Sequence, residues 1–327
     1  YIEYKPTITI RKYVSGSFTY LEYCTVATAT AETTNYSVSA NMPDIKIIDF
    51  IKGLIQAFKL VVIPTDETSF YIKNVDDYYS DGNTIDLTKY VNTNETPISR
   101  ADLLNQITYK FQDPITILNK TFKGSTTEGY GDEELYIYDS GGELINGGKS
   151  EIALPFEQVV YERLNDTEDG TQTNIQYGAI IDDKLESTNI KPHIHYAVLR
   201  AIGDKTIAFN DGTTPLIELS ANYFSPSHIA SDSAFGTGFI FGSELDEYSK
   251  VAITTNLYTE YYSNYISDLF NIKRRDYDIK ASNVPLNVIT DIRLNDIIKI
   301  GINYYRINNM KTNITTGEII FNLFNIV

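Results

Sequence analysis

The chain has 327 residues, 42% of them hydrophobic, which is enough to bury a core in two or three domains. Its formal net charge of −16 argues against unaided binding to nucleic acid or to anionic membranes, because both need clustered Lys and Arg. A single cysteine, Cys24, excludes an intrachain disulfide framework and a multi-cysteine zinc site, and no apolar run approaches the roughly 20 residues of a membrane span.

The first two predicted units cover residues 1–119. Residues 1–40 alternate in polarity and are rich in Thr, Tyr and Val, which predicts an N-terminal β segment able to complete a later barrel. Residues 41–119 begin with a helix that runs into a β-hairpin with its turn at "PTDETS", a first helix-plus-strands unit. One face of that helix is apolar and is predicted to pack in the core: Ile47, Ile48, Ile51, Leu54, Ile55 and Phe58.

The second half of the chain divides in the same way. Residues 120–240 predict a β-rich middle domain, in which the Gly-, Ser- and acid-rich stretch 120–150 forms long exposed β-connections around one strand, "ELYIYD". Residues 241–327 predict a second helix-plus-strands unit. Its helix, 257–270, carries a stripe suited to core or subunit packing: Leu257, Tyr261, Tyr265 and Leu269. The basic run 273–275 that follows predicts a solvated helix end.

Residues 294–327 predict a three-stranded meander. Alternation supplies an inward face made of Ile298, Ile300, Tyr305, Ile307, Ile319, Phe321 and Leu323. The other face of the final strand is apolar as well, through Ile320, Phe324 and Ile326, so we expect helix 257–270 or a neighbouring subunit to cover it. The fold class that these patterns predict is mainly β with a few helices (α+β).

Chemical signatures are weak throughout. His193 and His195 would share a strand face as a metal pair with His228 or a carboxylate, but two surface histidines explain the spacing better. The acidic loops, such as "EGYGDEE", lack the ligand spacing of an EF-hand and are better explained as turns. The sequence contains none of the common catalytic motifs, so we expect no cofactor, no metal and no enzymatic activity.

Three regions of the chain resemble structural proteins of tailed bacteriophages. The segment 41–91 is similar to a pattern in which a "DIK-x-x-DF" helix precedes a hairpin and a "D-x-Y-Y" turn. The positions that match are Asp44, Ile45, Lys46, Asp49, Phe50, Asp76, Tyr78 and Tyr79. The stretch "ALPFEQVVYERLND" also matches. The terminal part resembles the closing barrel of tail-hub, or baseplate hub, proteins at Asp296, Ile300, Tyr305, Ile307 and Gly317.

This resemblance implies antiparallel β-barrel domains of the tail-tube and hub type, each with a packed helix. It also implies a homo-oligomeric ring, a trimer in preference to a hexamer, that joins the tail tube to a spike, fibre or adaptor protein. Genome DNA would pass through the lumen without specific binding, and the protein would be found in the virion tail after assembly in the bacterial cytoplasm, without stable membrane insertion. In the resemblance, too, the motifs are structural and none is catalytic.

The leading hypothesis is therefore a tail-hub or baseplate structural protein. The alternative is a receptor- or glycan-binding tail appendage with exposed Tyr and Asn loops as contacts. A depolymerase with dispersed carboxylates is a third hypothesis. The interaction residues predicted for the leading hypothesis are Leu257, Tyr261, Tyr265 and Leu269 of the helix and Ile320, Phe324 and Ile326 of the final strand.

Overall fold

The structure is a computed structural model of the chain. It describes residues 10–14, 17–21, 45–92, 96–100, 102–165, 170, 172–178, 180–186, 191–201, 207–210, 215–219, 222–229, 237–246 and 250–326. Cys24 and most of the predicted N-terminal β segment lie outside these ranges, as do parts of the acidic loops.

The described residues form short helices and many strands. The helices are α1 (Ile47–Ala57), α2 (Val75–Ser80), α3 (Ile117–Thr126), α4 (Leu257–Tyr261), α5 (Ser263–Leu269) and α6 (Leu286–Asp291), with a 3-10 turn at Thr88–Tyr90. The first strands are β1 (Ile10–Val14), β2 (Ser17–Leu21), β3 (Leu60–Pro64), β4 (Phe70–Asn74), β5 (Thr84–Asp86), β6 (Ile98–Arg100), β7 (Leu104–Lys110), β8 (Glu133–Tyr136), β9 (Gly148–Ala153) and β10 (Tyr161–Asn165). The remaining strands are β11 (Gln172–Gly178), β12 (Tyr196–Ala201), β13 (Ile207–Asn210), β14 (Pro215–Leu219), β15 (Asn222–Ser227), β16 (Arg275–Ala281), β17 (Ile297–Ile300), β18 (Asn303–Asn313) and β19 (Glu318–Asn325). The mainly β, α+β class is thus confirmed, and no sheet among the described strands closes into a barrel.

The predicted terminal meander forms the centre of a six-stranded sheet with the order β5-β17-β18-β19-β16-β6. All its pairs are antiparallel except β17 with β5. Gly301 and Gly317 have positive φ angles of 63° and 69° and make the two turns. Because Gly301 leads the two-residue loop between Ile300 and Asn303, the first turn fits type II′ geometry. The final strand is therefore an interior strand of the sheet and not an edge.

The inward face of this sheet is the one that the alternation predicted. All seven predicted side chains are buried in one cluster: Ile298, Ile300, Tyr305, Ile307, Ile319, Phe321 and Leu323. Leu87 and the segment 284–292 around α6 cover them from the core side. This confirms the register of the meander, since a slip by one residue would have turned the apolar set outwards.

The outer face of the same sheet is largely polar. Asn322 donates to Asp278 at 2.9 Å and accepts from Asn308 at 2.7 Å, and a 2.7 Å ion pair joins Lys280 to Glu318. Ile320 lies among these groups and is 50% exposed. The prediction that helix 257–270 covers Ile320 is therefore wrong, because α5 reaches only the end of the strand near residues 324–326. Cover by a neighbouring subunit stays a prediction.

A second core lies under the mixed sheet β8-β7-β9. It combines residues from α1, β7, α4 and α5 with Phe156 and Phe241. A smaller cluster of Tyr130, Ile229, Ile240 and Ile253 lies beside it. Both large cores draw on more than one of the four predicted ranges, so the packing units are discontinuous in sequence. The proposed domain boundaries themselves stay a prediction.

The predicted helix 257–270 is broken into α4 and α5 at Tyr262, whose φ is −118°. Asn256 caps α4 by accepting from the backbone N–H of Thr259 at 2.9 Å. The break turns Tyr262 inwards, where it packs 4.8 Å from the ring of Tyr109. The buried residues of this segment are therefore Leu257, Tyr262 and Phe270. Of the predicted stripe, only a part coincides with this packed face.

The stretch 120–150 also differs from its prediction, because α3 extends into it. Asn119 anchors this helix, since its side chain accepts from the backbone N–H of Val160 at 2.8 Å and donates to the carbonyl of Gln158. The strand "ELYIYD" is confirmed as β8, with a bridge from Tyr138 to Leu144.

Substituting Gly53 with alanine tests how α1 packs. A Cβ at this position would lie 2.6 Å from Cγ of Pro155 and 2.8 Å from Cζ of Phe156. Alanine gains about 1 kcal/mol in helix propensity, but overpacking costs roughly 1–3 kcal/mol. We therefore expect Gly53→Ala to lower the free energy of unfolding, measured by urea denaturation. A stabilised variant would show that α1 does not sit on Pro155.

Candidate interaction surface

The hairpin of β3 and β4 exposes apolar side chains on both of its faces. Val62 and Ile72 pair across one face and are 38% and 56% exposed. Tyr71 on the opposite face is 47% exposed, and Phe70 near the turn is 65% exposed. Asp66 shapes the turn by accepting from the backbone N–H groups of Thr68 and Ser69, each at 2.8 Å. The hairpin is well formed locally, yet much of its apolar surface lacks cover.

The hairpin is also isolated as a sheet. No third described strand pairs with either edge, and the hairpin packs mainly on α1 and α2. A two-stranded hairpin on its own is marginally stable, and contiguous exposed apolar surface marks interaction sites. Additional packing against another molecule would supply what this hairpin lacks.

Helix α1, which leads directly into β3, presents a similar surface. Its buried residues are Gly53 and Ala57, whereas Ile47, Ile48 and Ile51 are 79%, 54% and 44% exposed. The prediction that these three isoleucines pack in the core is wrong, because the small residues on the other side allow close approach to Pro155 and Phe156. The apolar character of α1 on more than one side was the available signal. We call Ile47, Ile48, Ile51, Val62, Phe70, Tyr71 and Ile72 together the apolar arm.

The interaction residues predicted on helix 257–270 lie in different environments. Leu257 is buried, and Tyr261 packs edge-to-face on Phe58 with ring centroids 5.5 Å apart. Tyr265 lies half-buried under the ammonium of Lys59, which is 3.8 Å from its ring centroid. The side chain of Leu269 lies outside the described part of the chain. Leu257 and Tyr261 thus contribute to the core of this chain.

Three of the predicted residues meet at one cleft. Tyr265, Phe324 and Ile326 all line a cavity of about 120 Å³ between α5 and the ends of β18 and β19. Arg274 and Arg306 line the same cavity. We call it the arginine cleft. Ile320 is not part of it.

The basic run 273–275 contributes to the cleft, which its prediction as a solvated helix end did not anticipate. Lys273 is exposed as expected. The guanidinium of Arg274 instead lies 3.4 Å from the ring centroid of Phe324, and Arg275 donates to the carbonyls of Ile272 and Arg274 at 2.9 and 2.7 Å. The prediction is correct for Lys273 and wrong for Arg274.

The three histidines of the chain lie around Tyr161. His193 and His195 stack with ring centroids 4.8 Å apart, and the ring of Tyr161 lies 6.4 Å from His195 and 4.8 Å from His228. In the described part of the chain, no group of three or more His, Cys, Asp or Glu side chains is arranged to hold a metal ion. His228 is fully buried, and its Nε2 lies 2.9 Å from the carbonyl of Val159.

Burial of His228 predicts a loss of stability in acid. Burial lowers the pKa of this histidine to about 4, below the usual value near 6.5. Between these values the unfolded chain binds a proton that the folded chain does not, so stability falls as pH falls from 6.5 to 4, by about 3 kcal/mol. We expect His228→Gln to remove this part of the pH dependence when unfolding is measured between pH 4 and 7.

The comparison of the two proteins isolates His228. Burial raises the pKa of Asp132 to about 6, which works in the opposite direction over part of the same range. Asp132 is present in both proteins, and so are the two other histidines, whose pKa values burial also lowers. Equal pH profiles for the native chain and the variant would contradict the prediction.

The acidic loop "EGYGDEE" has a structural role in this fold. Asp132 accepts from the backbone N–H of Phe111 at 2.8 Å, which ties the loop to the end of β7. The prediction of a turn agrees with this geometry at the residues that the structure describes.

No family model, curated protein or solved structure matches the chain. None of the described helices has the length and apolar character needed to cross a membrane.

Proposed function

We propose that this chain is a structural subunit of a bacteriophage tail, a hub or baseplate protein that works by assembling into an oligomeric ring. The observation that carries the proposal is the apolar arm, in which Phe70, Ile72 and Ile47 are each more than half exposed. The sequence resemblance to tail-hub proteins supports the same assignment. A second copy of the chain is the partner that the arm would contact.

The geometry of the arm favours contact between subunits. Its hairpin offers apolar side chains on two faces and unpaired backbone along two edges, among the described strands. A neighbouring subunit can bury both the faces and an edge at once, which satisfies backbone and side chains together. Repetition of one such heterologous contact around an axis closes a ring.

The charge of the chain suits a ring that conducts DNA. A ring of subunits that each carry a net charge of −16 repels the phosphates of a passing genome and keeps DNA from adhering to the wall. The ring would join the tail tube to a spike, fibre or adaptor protein in the virion.

Mass and position test the proposal. Mass photometry of the purified full chain at physiological salt is expected to show particles with the mass of three subunits. Particles with the mass of six subunits are expected if each subunit supplies one position of a sixfold ring. Antibody against the chain is expected to label the tip of the tail in phage particles that contain it. A monomer that is absent from the tail would overturn the proposal.

The rival functions predict other results. Saturable binding to host cells or to a glycan array, without ring formation, would favour the receptor-binding appendage. Loss of polysaccharide viscosity on incubation with the chain would favour the depolymerase.

A further inference from the structure

The arginine cleft has the chemistry of a binding site. Its walls combine two guanidinium groups, from Arg274 and Arg306, with the rings of Tyr79 and Phe324. It lies where the end of α5 approaches the beginning of β18 and the end of β19. Its volume of about 120 Å³ accommodates a small chemical group. One of its lining residues, Ile307, also belongs to the core of the large sheet.

An aromatic ring lies next to each guanidinium group. Arg274 stacks over Phe324 at 3.4 Å, and the guanidinium of Arg306 lies 5.5 Å from the ring centroid of Tyr79. A guanidinium held by its face keeps its edge for hydrogen bonds, and that edge matches the two oxygens of a carboxylate. The rings are therefore supports for the arginines and not stacking platforms for a ligand.

The two arginines differ in whether a carboxylate of this chain already neutralises their charge. Arg306 forms an ion pair with Asp268. No carboxylate of the described residues lies within ion-pair distance of Arg274. Its Nη1 makes one long bond of 3.4 Å to the carbonyl of Asp268, and its buried Nε has no acceptor. Its terminal amino groups make no other hydrogen bond within the described residues, so they are the part of Arg274 that a ligand would contact.

The local charge selects the ligand. Among the residues that line the cleft, Arg274, Arg306 and Asp268 sum to one positive charge. Asp276, which does not line the cleft, also attracts Arg274 and offsets part of that charge. One positive charge suits a monoanion better than a dianionic phosphate. We propose that the arginine cleft binds a small chemical group that carries a single carboxylate. Arg274 is the principal hydrogen-bond donor to that carboxylate, and Asp268 holds Arg306 in place. An acidic side chain of a protein and a sugar acid both carry this group.

NMR titration of the full chain, labelled with ¹⁵N at arginine, tests the proposal. The probes are glucuronate and a blocked peptide with one glutamate, each compared with its neutral counterpart, glucose and the glutamine peptide. We expect at least one acidic probe to shift the Arg274 signal saturably, and Arg274→Gln to weaken that binding roughly tenfold or more. Lys273→Gln, at the exposed neighbouring position, is the matched control and is expected to bind as the native chain does.

A second variant protects the test against a misfolded Arg274→Gln chain. Asp268→Asn removes the carboxylate that neutralises Arg306, so it is expected to tighten carboxylate binding severalfold and to admit inorganic phosphate. Response to the peptide alone assigns the source to protein side chains, response to glucuronate alone assigns it to sugars, and response to both supports the shared chemistry. Equal response to acidic and neutral probes, or no gain in Asp268→Asn, would overturn the proposal.

Discussion

A chain carrying Phe70→Ser and Ile72→Thr is expected to remain monomeric under conditions in which the native chain forms rings. The two side chains are 65% and 56% exposed, and the interface that we propose would bury them. Buried aromatic and aliphatic anchors dominate protein interfaces, and each can contribute 2 kcal/mol or more. A closed ring contains one such contact for every subunit, so the loss of binding free energy is repeated at each of them. The assembled fraction should therefore fall below detection by mass photometry.

The variant chain should still fold. Exposed substitutions usually change the free energy of unfolding by no more than about 0.5 kcal/mol, and circular dichroism should show the native content of strand. Tyr138→Ser is the matched control, because Tyr138 is 56% exposed on a different part of the surface and lies outside the apolar arm. If the double variant still forms rings, or if the control variant loses them to the same extent, the apolar arm is not part of the interface.

The second large effect is expected in the core of the six-stranded sheet. Phe321 is fully buried between the strands and α6, and Phe321→Ala should lower the free energy of unfolding by about 3–5 kcal/mol. Urea denaturation in the background of the arm variant keeps assembly from masking the result.

Ile320→Ala serves as the control, because the side chain of Ile320 lies on the opposite face of the same strand. Half of the Ile320 side chain is exposed, so its truncation should cost a monomer about 0.5 kcal/mol or less. If Ile320→Ala costs the monomer as much as Phe321→Ala, a part of this chain covers the outer face. If it weakens only the ring, the predicted cover by a neighbouring subunit gains support.

The parts of the fold that sequence predicts well are those with a two-residue period. The terminal meander could be predicted to the level of its inward residues, because Ile298, Ile307 and Phe321 each lie in a strand with an apolar residue at every second position. The helix that leads into the first hairpin could be predicted for a similar reason, from its apolar spacing and the turn at Asp66.

Prediction failed where long-range contacts decide the outcome. The apolar spacing of α1 indicates a packed helix, but Pro155 and Phe156 are what make Gly53 and Ala57 its inward side. Helix α3 depends on hydrogen bonds from Asn119 to residues about 40 positions later, which no local pattern encodes. Periodicity identifies an apolar side without identifying what covers it.

The arginine cleft was partly visible in the sequence. The sequence predicts Tyr265 and Phe324 as interaction residues on separate elements but does not indicate that they share a cavity. The basic run 273–275 predicts a solvated helix end, because Asp268, Asp276 and Asp278 lie close to it in sequence. Stacking of Arg274 on Phe324, which lies 50 residues away, is a tertiary contact that charge patterning does not reveal.

The strand order of the large sheet has a consequence for synthesis on the ribosome. Its two edges, β5 and β6, come from residues 84–100, whereas its four inner strands come from residues 275–325. The backbone N–H of Asn83 donates to Asp296, which is 213 positions later. At roughly 5–20 residues per second, the edges emerge about 10–40 s before their partners exist. During that delay Ile85 and Leu87 have no sheet to join, so this half of the molecule can fold only after β19 has left the ribosome. Nascent chains are expected to depend on chaperones until then.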